Sequence, residues 1–319
     1  MPRPELLDLC DAALAARRGD PDQALASTAR IGVLPDPEAE VARHHTRMLA
    51  VQGRPEQAPT VIDELRELSQ RTADPELQAL LTGWEGLVHY RQGRFAEAAR
   101  LHEQSAAART QALGRLSARI NAANAWLEAG ELDRAEAVGR VVLDEARRAR
   151  ATYYELQGEW ILRSARASRR DGARPDLELV EAVAALGDPQ REGVVCTTEA
   201  IIAWQAAEAD VAVALARQAR DAYGRAGVAH GLLFVDCMLA MVDPAWTGDV
   251  EALAARAAAC PVPGLGLDSL GMLASRWPLA ARWTEEAERL ARGHRGSVSR
   301  GMLTADEALA RIRAVGGVR

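Results

Sequence analysis

The sequence predicts an all-α protein built as a solenoid of about seven helical hairpins, with one further helix covering the last of them. Three observations predict this fold class. Alanine, leucine and arginine dominate the 319 residues, and aromatic residues make up only 4% of them. β-Branched residues come mostly singly, so no stretch has the alternating pattern of a β-strand. A turn signature built around glycine recurs at nearly even spacing, as expected of stacked supersecondary units.

The clearest hairpin lies between Leu81 and Ala112. Apolar residues recur there at three- and four-residue spacing until Gly93 stops the pattern, and a second helical pattern follows. Glycine can end a helix in the left-handed conformation. Phe95 can then wedge between the two helices, and Ala98 is small enough for their axes to approach closely. The segment therefore predicts a helix, a tight turn and a second helix.

The same signature, a glycine followed by proline or a bulky residue and then by alanine, occurs four times in the first half of the chain. The copies begin at Gly19, Gly53, Gly93 and Gly130, which are 34, 40 and 37 residues apart. In the first two copies, Pro21 and Pro55 stand at the predicted start of the second helix, where proline's fixed φ and missing N–H are tolerated. Four copies at this spacing predict a repeat.

Three weaker copies follow. Gly172 lacks both the bulky residue and the alanine, and Gly248 keeps only the bulky residue. Glu208 stands in place of the glycine in the copy between them, with Asp210 expected to cap the next helix. The repeats are therefore expected to be clear up to residue 148 and divergent over 149–292.

Connectors between the hairpins are predicted where residues that end or restart helices cluster. These stretches are Leu34 to Pro37, Asp74-Pro75, Gly187 to Pro189, Tyr223-Gly224 and Pro261 to Asp268. A final hairpin around Trp277-Pro278, a polar linker and a short helix opened by the capping box Thr304-x-x-Glu307 come last. We expect 1–292 to form one helical-repeat domain and 293–319 to form a linker and a C-terminal capping helix.

The four clear copies resemble the tetratricopeptide repeat, a family that has small residues in the first helix of each hairpin and this Gly-x-bulky-x-x-Ala turn. The resemblance is specific over residues 5–148. It implies a bacterial right-handed superhelical solenoid whose first helices line a concave groove. Members of this family bind proteins or peptides in that groove, without catalysis.

In such repeats the residues nine and six positions before the turn glycine face the groove. They are here Cys10 and Ala13, His44 and Arg47, Trp84 and Leu87, Asn121 and Asn124, Arg163 and Arg166, and Glu199 and Ile202. Asparagine is a poor helix-interior residue. Its amide can both donate to and accept from a peptide backbone, and arginine can grip a carboxylate with two hydrogen bonds.

The resemblance thus implies a partner-binding groove and names its residues: Asn121, Asn124, Arg163, Arg166, Trp84, His44 and Arg47. The expected partner is a protein or peptide with an acidic segment or a free C-terminus. The alternative is that the two asparagines hydrogen-bond neighbouring helices and only hold the repeats together. The dense arginines between residues 140 and 174 have a similar alternative, a solvated face paired with nearby acidic residues.

Other function classes find no support in the sequence. A net charge of −6 and a pI near 5.7 argue against direct nucleic-acid binding, and no run of 18 apolar residues suggests membrane insertion. The four cysteines form no pair of metal-ligand spacing, the histidines form no zinc motif, and no signal peptide is evident. We therefore expect a cytoplasmic protein with no metal and no cofactor.

No enzyme signature is present either. The stretch Gly264 to Gly271 is rich in glycine, but it follows prolines instead of a strand and has no lysine, so it is interpreted as a connector. The sequence predicts a non-catalytic scaffold or adaptor that binds proteins or peptides. The alternative is a sensor or regulatory protein resembling the helical-repeat portion of large bacterial transcriptional regulators. The sequence does not indicate an oligomeric state.

Overall fold

The computed structural model describes residues 4–18, 20–31, 34, 37–50, 57–71, 74–260, 263–280, 282–293 and 305–316. These residues contain helices and no strand, which confirms the all-α fold class. The helices are α1 (Pro4–Arg18), α2 (Pro21–Ile31), α3 (Pro37–Ala50), α4 (Ala58–Arg71), α5 (Pro75–Arg91), α6 (Phe95–Ala108), α7 (Ala112–Glu128), α8 (Leu132–Ala149), α9 (Thr152–Arg169), α10 (Leu177–Ala184), α11 (Pro189–Gln205), α12 (Ala209–Ala226), α13 (Ala229–Val242), α14 (Val250–Ala258), α15 (Pro263–Ala274), α16 (Arg282–Gly293) and α17 (Ala305–Gly316).

Two compact units divide the chain: an N-terminal unit, Met1–Ala122, and a C-terminal unit, Ala123–Arg319. Helix α7 runs through the boundary between them. Within each unit, consecutive helices pack against each other as hairpins, and the first helices of neighbouring hairpins also touch. In the C-terminal unit these first helices are α9, α11, α13 and α15, and α17 packs on α15 and α16. The helical-repeat arrangement is therefore confirmed inside each unit, whereas the grouping of 1–292 into one domain stays a prediction.

The turn signature works as the sequence predicts. Gly93 has a φ of +74° and Gly130 a φ of +76°, the left-handed region in which a side chain is strained. Gly93 N–H donates to Tyr90 at 3.0 Å, so a carbonyl group at the end of α5 gains a hydrogen-bond donor. Phe95 then packs edge-on against the Tyr90 ring at 5.2 Å, and Ala98 is fully buried in the hairpin.

Two glycines of α5 make room for a histidine of α6. A Cβ at Gly86 would lie 3.1 Å from the His102 ring and 3.2 Å from the Ala98 carbonyl oxygen, and one at Gly83 would lie 3.0 Å from Ser105 Oγ. Ser105 Oγ in turn donates to the Ala79 carbonyl oxygen at 2.6 Å. His102 is 2% exposed, and burial lowers its pKa to about 4. A neutral imidazole therefore fills the centre of this hairpin.

In the divergent half of the chain, the structure places one turn a residue earlier than the sequence predicts. The residue in the left-handed conformation between α11 and α12 is Ala207, with a φ of +60°, and not Glu208. Glu208 is the N-cap of α12 without a side-chain hydrogen bond, and Asp210 lies in the first turn instead of capping it. Read from Ala207, the alanine of the signature becomes Ala212, which is fully buried. Because an alanine occupies the glycine position, the repeat was misread by one residue.

Two predicted connectors are wrong because they lie inside helices. Tyr223 and Gly224 belong to α12, and Gly227, with a φ of +69°, ends that helix. Helix α15 begins at Pro263, so most of the stretch from Pro261 to Asp268, and the glycine-rich stretch after Gly264, is helical. Gly266 explains the glycine content, since a Cβ there would lie 2.5 Å from the Ala257 carbonyl oxygen of α14.

The other predicted helix starts and connectors agree with the structure wherever they fall on described residues. Asp74 and Asp188 cap α5 and α11 with their side chains, and each is followed by proline at the first helical position. Trp277-Pro278 lies between α15 and α16, as predicted. The turn residues Gly19, Gly53 and Pro55, the polar linker after Gly293 and the capping residue Thr304 lie outside the described residues.

The two glycines near the end of α12 should respond oppositely to alanine. A Cβ would meet nothing within 4 Å at either Gly224 or Gly227, but only Gly227 has a positive φ. We expect Gly227→Ala to lower the free energy of unfolding by about 1 kcal/mol and Gly224→Ala to raise it by about 0.5–1 kcal/mol. Urea unfolding of both variants measures this, and equal shifts would contradict the helix end at Gly227.

His102 should make stability depend on pH. The folded chain binds a proton at this imidazole only near pH 4, whereas the unfolded chain binds it near the ordinary value of 6.5. Stability should therefore fall as pH drops from 6.5 to 4 and then level off, by about 3 kcal/mol in all. Unfolding free energies of the wild type and of His102→Gln between pH 7 and pH 4 should diverge by this amount. Parallel curves would show that His102 is not buried as a neutral group.

Candidate functional site

Two of the predicted groove residues, His44 and Arg47, belong to a buried charged cluster in the N-terminal unit. Arg43 donates two hydrogen bonds to Glu40 at 2.9 and 2.7 Å, and His44 Nε2 lies 3.0 Å from Glu40 Oε1. Arg47 makes the same two-bond contact with Glu64 of α4, both at 2.7 Å. His44 is 2% exposed and Arg47 is 9% exposed. Arg47 is therefore committed to a contact between α3 and α4, and His44 to a contact within α3.

The pKa values of this cluster follow from burial and charge. Burial alone would raise the pKa of Glu40, but hydrogen bonds from Arg43 and from the Leu34 N–H, with the charge of Arg43, lower it to about 2. Burial and the charge of Arg43 lower the pKa of His44, against the opposing effect of Glu40 and Glu64. In neutral solution Glu40 is therefore ionised and lies next to a neutral imidazole of His44.

Trp84 also packs against other residues of the N-terminal unit. Its ring stacks on His45 with centroids 5.0 Å apart and planes 24° apart. Together with Leu87 it is partly buried against the apolar core that contains Leu81 and Val88. Trp84 keeps a partly exposed surface, so it can contribute contact area, but its main role in the structure is to pack.

The two asparagines differ from these residues because they lack partners. Asn121 belongs to the N-terminal unit and Asn124 to the C-terminal unit, and both are partly buried on α7. Among the described residues neither makes a hydrogen bond to another group, and Asn124 Oδ1 is buried without a donor. A buried amide oxygen without a hydrogen bond costs free energy. The interhelix bond expected in the alternative interpretation is therefore not made within the described part of the chain.

Arg163 is held by an acidic residue that the sequence placed among the inward positions but not among the partner-binding residues. Its Nε donates to Glu199 of α11 at 2.8 Å, and its Nη2 donates to the Arg174 carbonyl oxygen. Glu199 is fully buried and also accepts the Asp176 N–H at 2.8 Å. The pKa of Arg163, which burial would lower, is raised by this carboxylate. The pair thus fastens the segment between α9 and α10 onto α11.

Arg166 is the one predicted groove arginine whose side chain is not paired with another described residue. It is exposed, and it makes no hydrogen bond or ion pair within the described ranges. Its charge does help to lower the pKa of Glu136, after the hydrogen bond that Glu136 accepts from Arg169 and the charge of Arg140. Asn124 and Arg166 lie on α7 and α9, the first helices of two adjacent hairpins. Within the described ranges, the first carries an amide and the second a guanidinium without a hydrogen-bond partner.

Most other arginines between residues 140 and 174 are neutralised locally. Arg147 contacts Glu155 and Glu159, both at 2.9 Å, and Arg169 contacts Asp133 and Glu136, both at 2.6 Å. The arginine density of this segment therefore reflects a paired surface, as the alternative interpretation held, with Arg166 as an exception.

The described residues contain no group of three or more histidine, cysteine or acidic residues arranged to hold a metal ion. A shallow cleft between α4 and α5 has a volume of about 160 Å³ and is lined by Arg66, Thr82 and Glu85, among others. This is small against the several hundred Å³ of typical ligand pockets. No helix in the described ranges combines the length and the hydrophobicity that a bilayer crossing requires.

Comparison with known proteins gives a fold and no family. No protein-family model matches the chain, and no curated protein matches it in sequence. A crystal structure of a Rap protein complexed with competence and sporulation factor aligns with a TM-score of 0.53 and 11% identity, over 89% of this chain and 80% of that one. The apo form of RapI aligns with a TM-score of 0.50 and 8% identity, over 98% and 97%. At these identities the likeness shows the all-helical fold alone.

The contact between Arg163 and Glu199 was within reach of the sequence. The two residues are 36 positions apart, close to the 34, 37 and 40 residues that separate the clear copies of the turn signature. An arginine and a glutamate about one repeat apart, on the first helices of adjacent hairpins, therefore favour an ion pair. The cluster around Glu40 gives a weaker signal, because its members lie at three- and four-residue spacing, as on any charged helix face.

Arg163 and Arg166 lie on the same helix, and replacing each by alanine should show which of them stabilises the fold. Arg163→Ala leaves Glu199 buried without its cation, so we expect it to lower the free energy of unfolding by about 3–5 kcal/mol. Arg166→Ala removes an exposed side chain and should change it by less than about 0.5 kcal/mol. Chemical denaturation followed by circular dichroism measures both. Equal losses in the two variants would show that Arg166 also has a structural partner.

Proposed function

We propose that this chain is a non-catalytic helical-repeat scaffold that binds a protein or peptide partner through Asn124 and Arg166 in the C-terminal unit. The observation that carries the proposal is that two polar side chains, on the first helices of two adjacent hairpins, have no hydrogen-bond partner among the described residues. Asn124 Oδ1 is buried without a donor, and Arg166 is exposed without an acceptor among the described residues. A ligand with a backbone N–H and a carboxylate would satisfy both groups.

The chemistry of the two groups defines the partner. An amide oxygen can accept from a peptide N–H, as it does where an extended segment lies along a helix face. A guanidinium favours a planar carboxylate, from aspartate, glutamate or a chain terminus. We therefore propose an acidic segment or a free C-terminus as the bound element. Asn121, Trp84, His44 and Arg47 belong to the N-terminal unit, and of these Asn121 is the best remaining candidate, because the other three pack or pair internally.

The fold neighbours are consistent with a binding role. One of them was crystallised in complex with competence and sporulation factor. This favours a second candidate of the same class, in which the chain receives a signalling factor and passes the signal to another protein. Both candidates use the same surface, and they differ in whether binding changes the association of a further partner.

Partner capture followed by mutagenesis tests the proposal. The tagged full chain is used to capture partners from the native cell, mass spectrometry identifies them, and affinity is measured with the purified partner. We expect Arg166→Ala to weaken binding about ten- to a hundredfold and Asn124→Ala up to about tenfold. Neither variant should lower the melting temperature noticeably, since neither residue makes a hydrogen bond to a described residue.

Arg148→Ala provides the matched control. Arg148 is an exposed arginine of α8 that donates only to the Asp144 carbonyl oxygen of its own helix, at 3.1 Å. It should bind the partner like the wild type. Unchanged affinity in both Asn124→Ala and Arg166→Ala would remove this site, and a loss of stability in Asn124→Ala would restore the interpretation that the asparagine holds helices together.

A further inference from the structure

Three arginines form a row on one face of α9 and its C-cap. Arg163, Arg166 and Arg170 are spaced three and four residues apart, which places them on the same side of the helix. Arg163 is occupied by Glu199 of α11. Arg166, in the middle, makes no ion pair within the described ranges. Arg170, at the other end, is occupied by a residue from a distant part of the chain.

That residue is Glu307 in the first turn of α17. Arg170 Nη1 donates to Glu307 Oε1 at 3.1 Å, and Arg170 Nη2 donates to Oε2 at 2.8 Å. The two residues are 137 positions apart. In a stack of hairpins each unit contacts its neighbours only. This ion pair therefore joins α17 to a hairpin from which three others separate it along the chain.

The remaining contacts of α17 stay within the last hairpins. Ala308 and Ile312 are buried, and the helix packs on α15 and α16. Arg313 donates to Glu288 of α16 at 2.9 Å, and Arg311 donates to Ser275. Helices α9, α11, α13 and α15 touch in sequence. The contact between Arg170 and Glu307 therefore closes a ring in the C-terminal unit, with α17 as the closing element.

We infer that Arg166 and Arg170 form a docking surface for an acidic peptide segment, and that α17 is the chain's own competitor for that surface, held there by Glu307. The inference rests on the proposed function, because Arg166 is shared with it. The charges fit, because Glu307 places a carboxylate at the end of the arginine row and the preceding residue of α17, Asp306, is acidic and exposed. An incoming acidic segment satisfies Arg166 and takes the place of Glu307 on Arg170.

The ion pair between Arg170 and Glu307 is weak enough for an acidic partner to replace Glu307. The Arg170 side chain is 44% exposed and the Glu307 side chain is 37% exposed. Ion pairs with this degree of exposure contribute little to stability, because water and salt screen them. The apolar contacts of Ala308 and Ile312 hold the rest of α17 in place. A partner can therefore displace Glu307 at low cost, while the partner's other contacts supply the affinity.

The test uses the full chain, a fluorescein-labelled hexaglutamate peptide and four proteins. These are the wild type, Glu307→Gln, Arg170→Gln and the control Glu288→Gln, which removes the other carboxylate paired with α17 without reaching α9. Binding is measured by fluorescence anisotropy at low ionic strength. We expect Glu307→Gln to bind up to about fivefold more tightly than the wild type, Arg170→Gln to bind more weakly, and Glu288→Gln to match the wild type.

Hydrogen exchange measures the displacement directly. Saturating unlabelled hexaglutamate should accelerate amide exchange in α17 of the wild type and leave exchange in the first turns of α9 unchanged. Equal affinities of Glu307→Gln and Glu288→Gln, or exchange in α17 that ignores the peptide, would overturn the competition. If Arg166→Ala weakens binding of the captured partner but the hexaglutamate tests fail, the proposed function is supported and the competing role of α17 is wrong. If the hexaglutamate tests succeed but Arg166→Ala leaves the affinity for the captured partner unchanged, the proposed function is wrong.

Discussion

The close approach of paired helices is the constraint on which the rest of this structure depends. At Gly158 of α9 a Cβ would lie 3.1 Å from the Leu143 backbone nitrogen, and at Gly139 of α8 it would lie 2.8 Å from the Ile161 side chain. The ring of Tyr223 lies against both Gly193 of α11 and Gly231 of α13, where a Cβ would come within 2.7 Å. These contacts leave room for no larger residue. The abundance of alanine and glycine in the sequence is therefore a packing requirement, since helices with small facing residues can bring their axes close together.

How much of the fold could be predicted follows from how local each signal is. The turn at Gly93 could be predicted because the glycine, Phe95 and Ala98 lie within six residues and each has a physical role there. Ala207 was missed because an alanine in the left-handed conformation leaves no mark in the sequence. The helical stretch after Pro263 was missed for the opposite reason. Gly266 allows the Ala257 carbonyl oxygen to approach, but glycine in isolation predicts a connector.

The candidate site shows the same limit in three dimensions. The turn signature leads to a set of predicted groove positions, but the sequence did not tell which of their side chains would already be engaged. His44 and Arg47 pair with acidic residues from their own or the next helix. Arg163 pairs with Glu199 one repeat away, while Asn124 and Arg166 find no partner among the described residues. Such differences depend on distances between helices, which periodicity does not encode. The sequence contains no lysine, so every such cation is an arginine whose guanidinium can hold a carboxylate by two hydrogen bonds. Whether an arginine is paired or unpaired therefore makes a larger difference at each position.

The ring closed by Arg170 and Glu307 bears on the order in which the C-terminal unit folds. Contacts between neighbouring hairpins join residues a few tens of positions apart, and such contacts form early because little chain entropy is lost. Bringing together two residues 137 positions apart costs more entropy than one exposed ion pair returns. The closure can form only after the stacking of α9, α11, α13 and α15 has brought its ends near each other. The ion pair between Arg170 and Glu307 is therefore the last contact of this unit to form, and it reports on the integrity of every hairpin between its two ends.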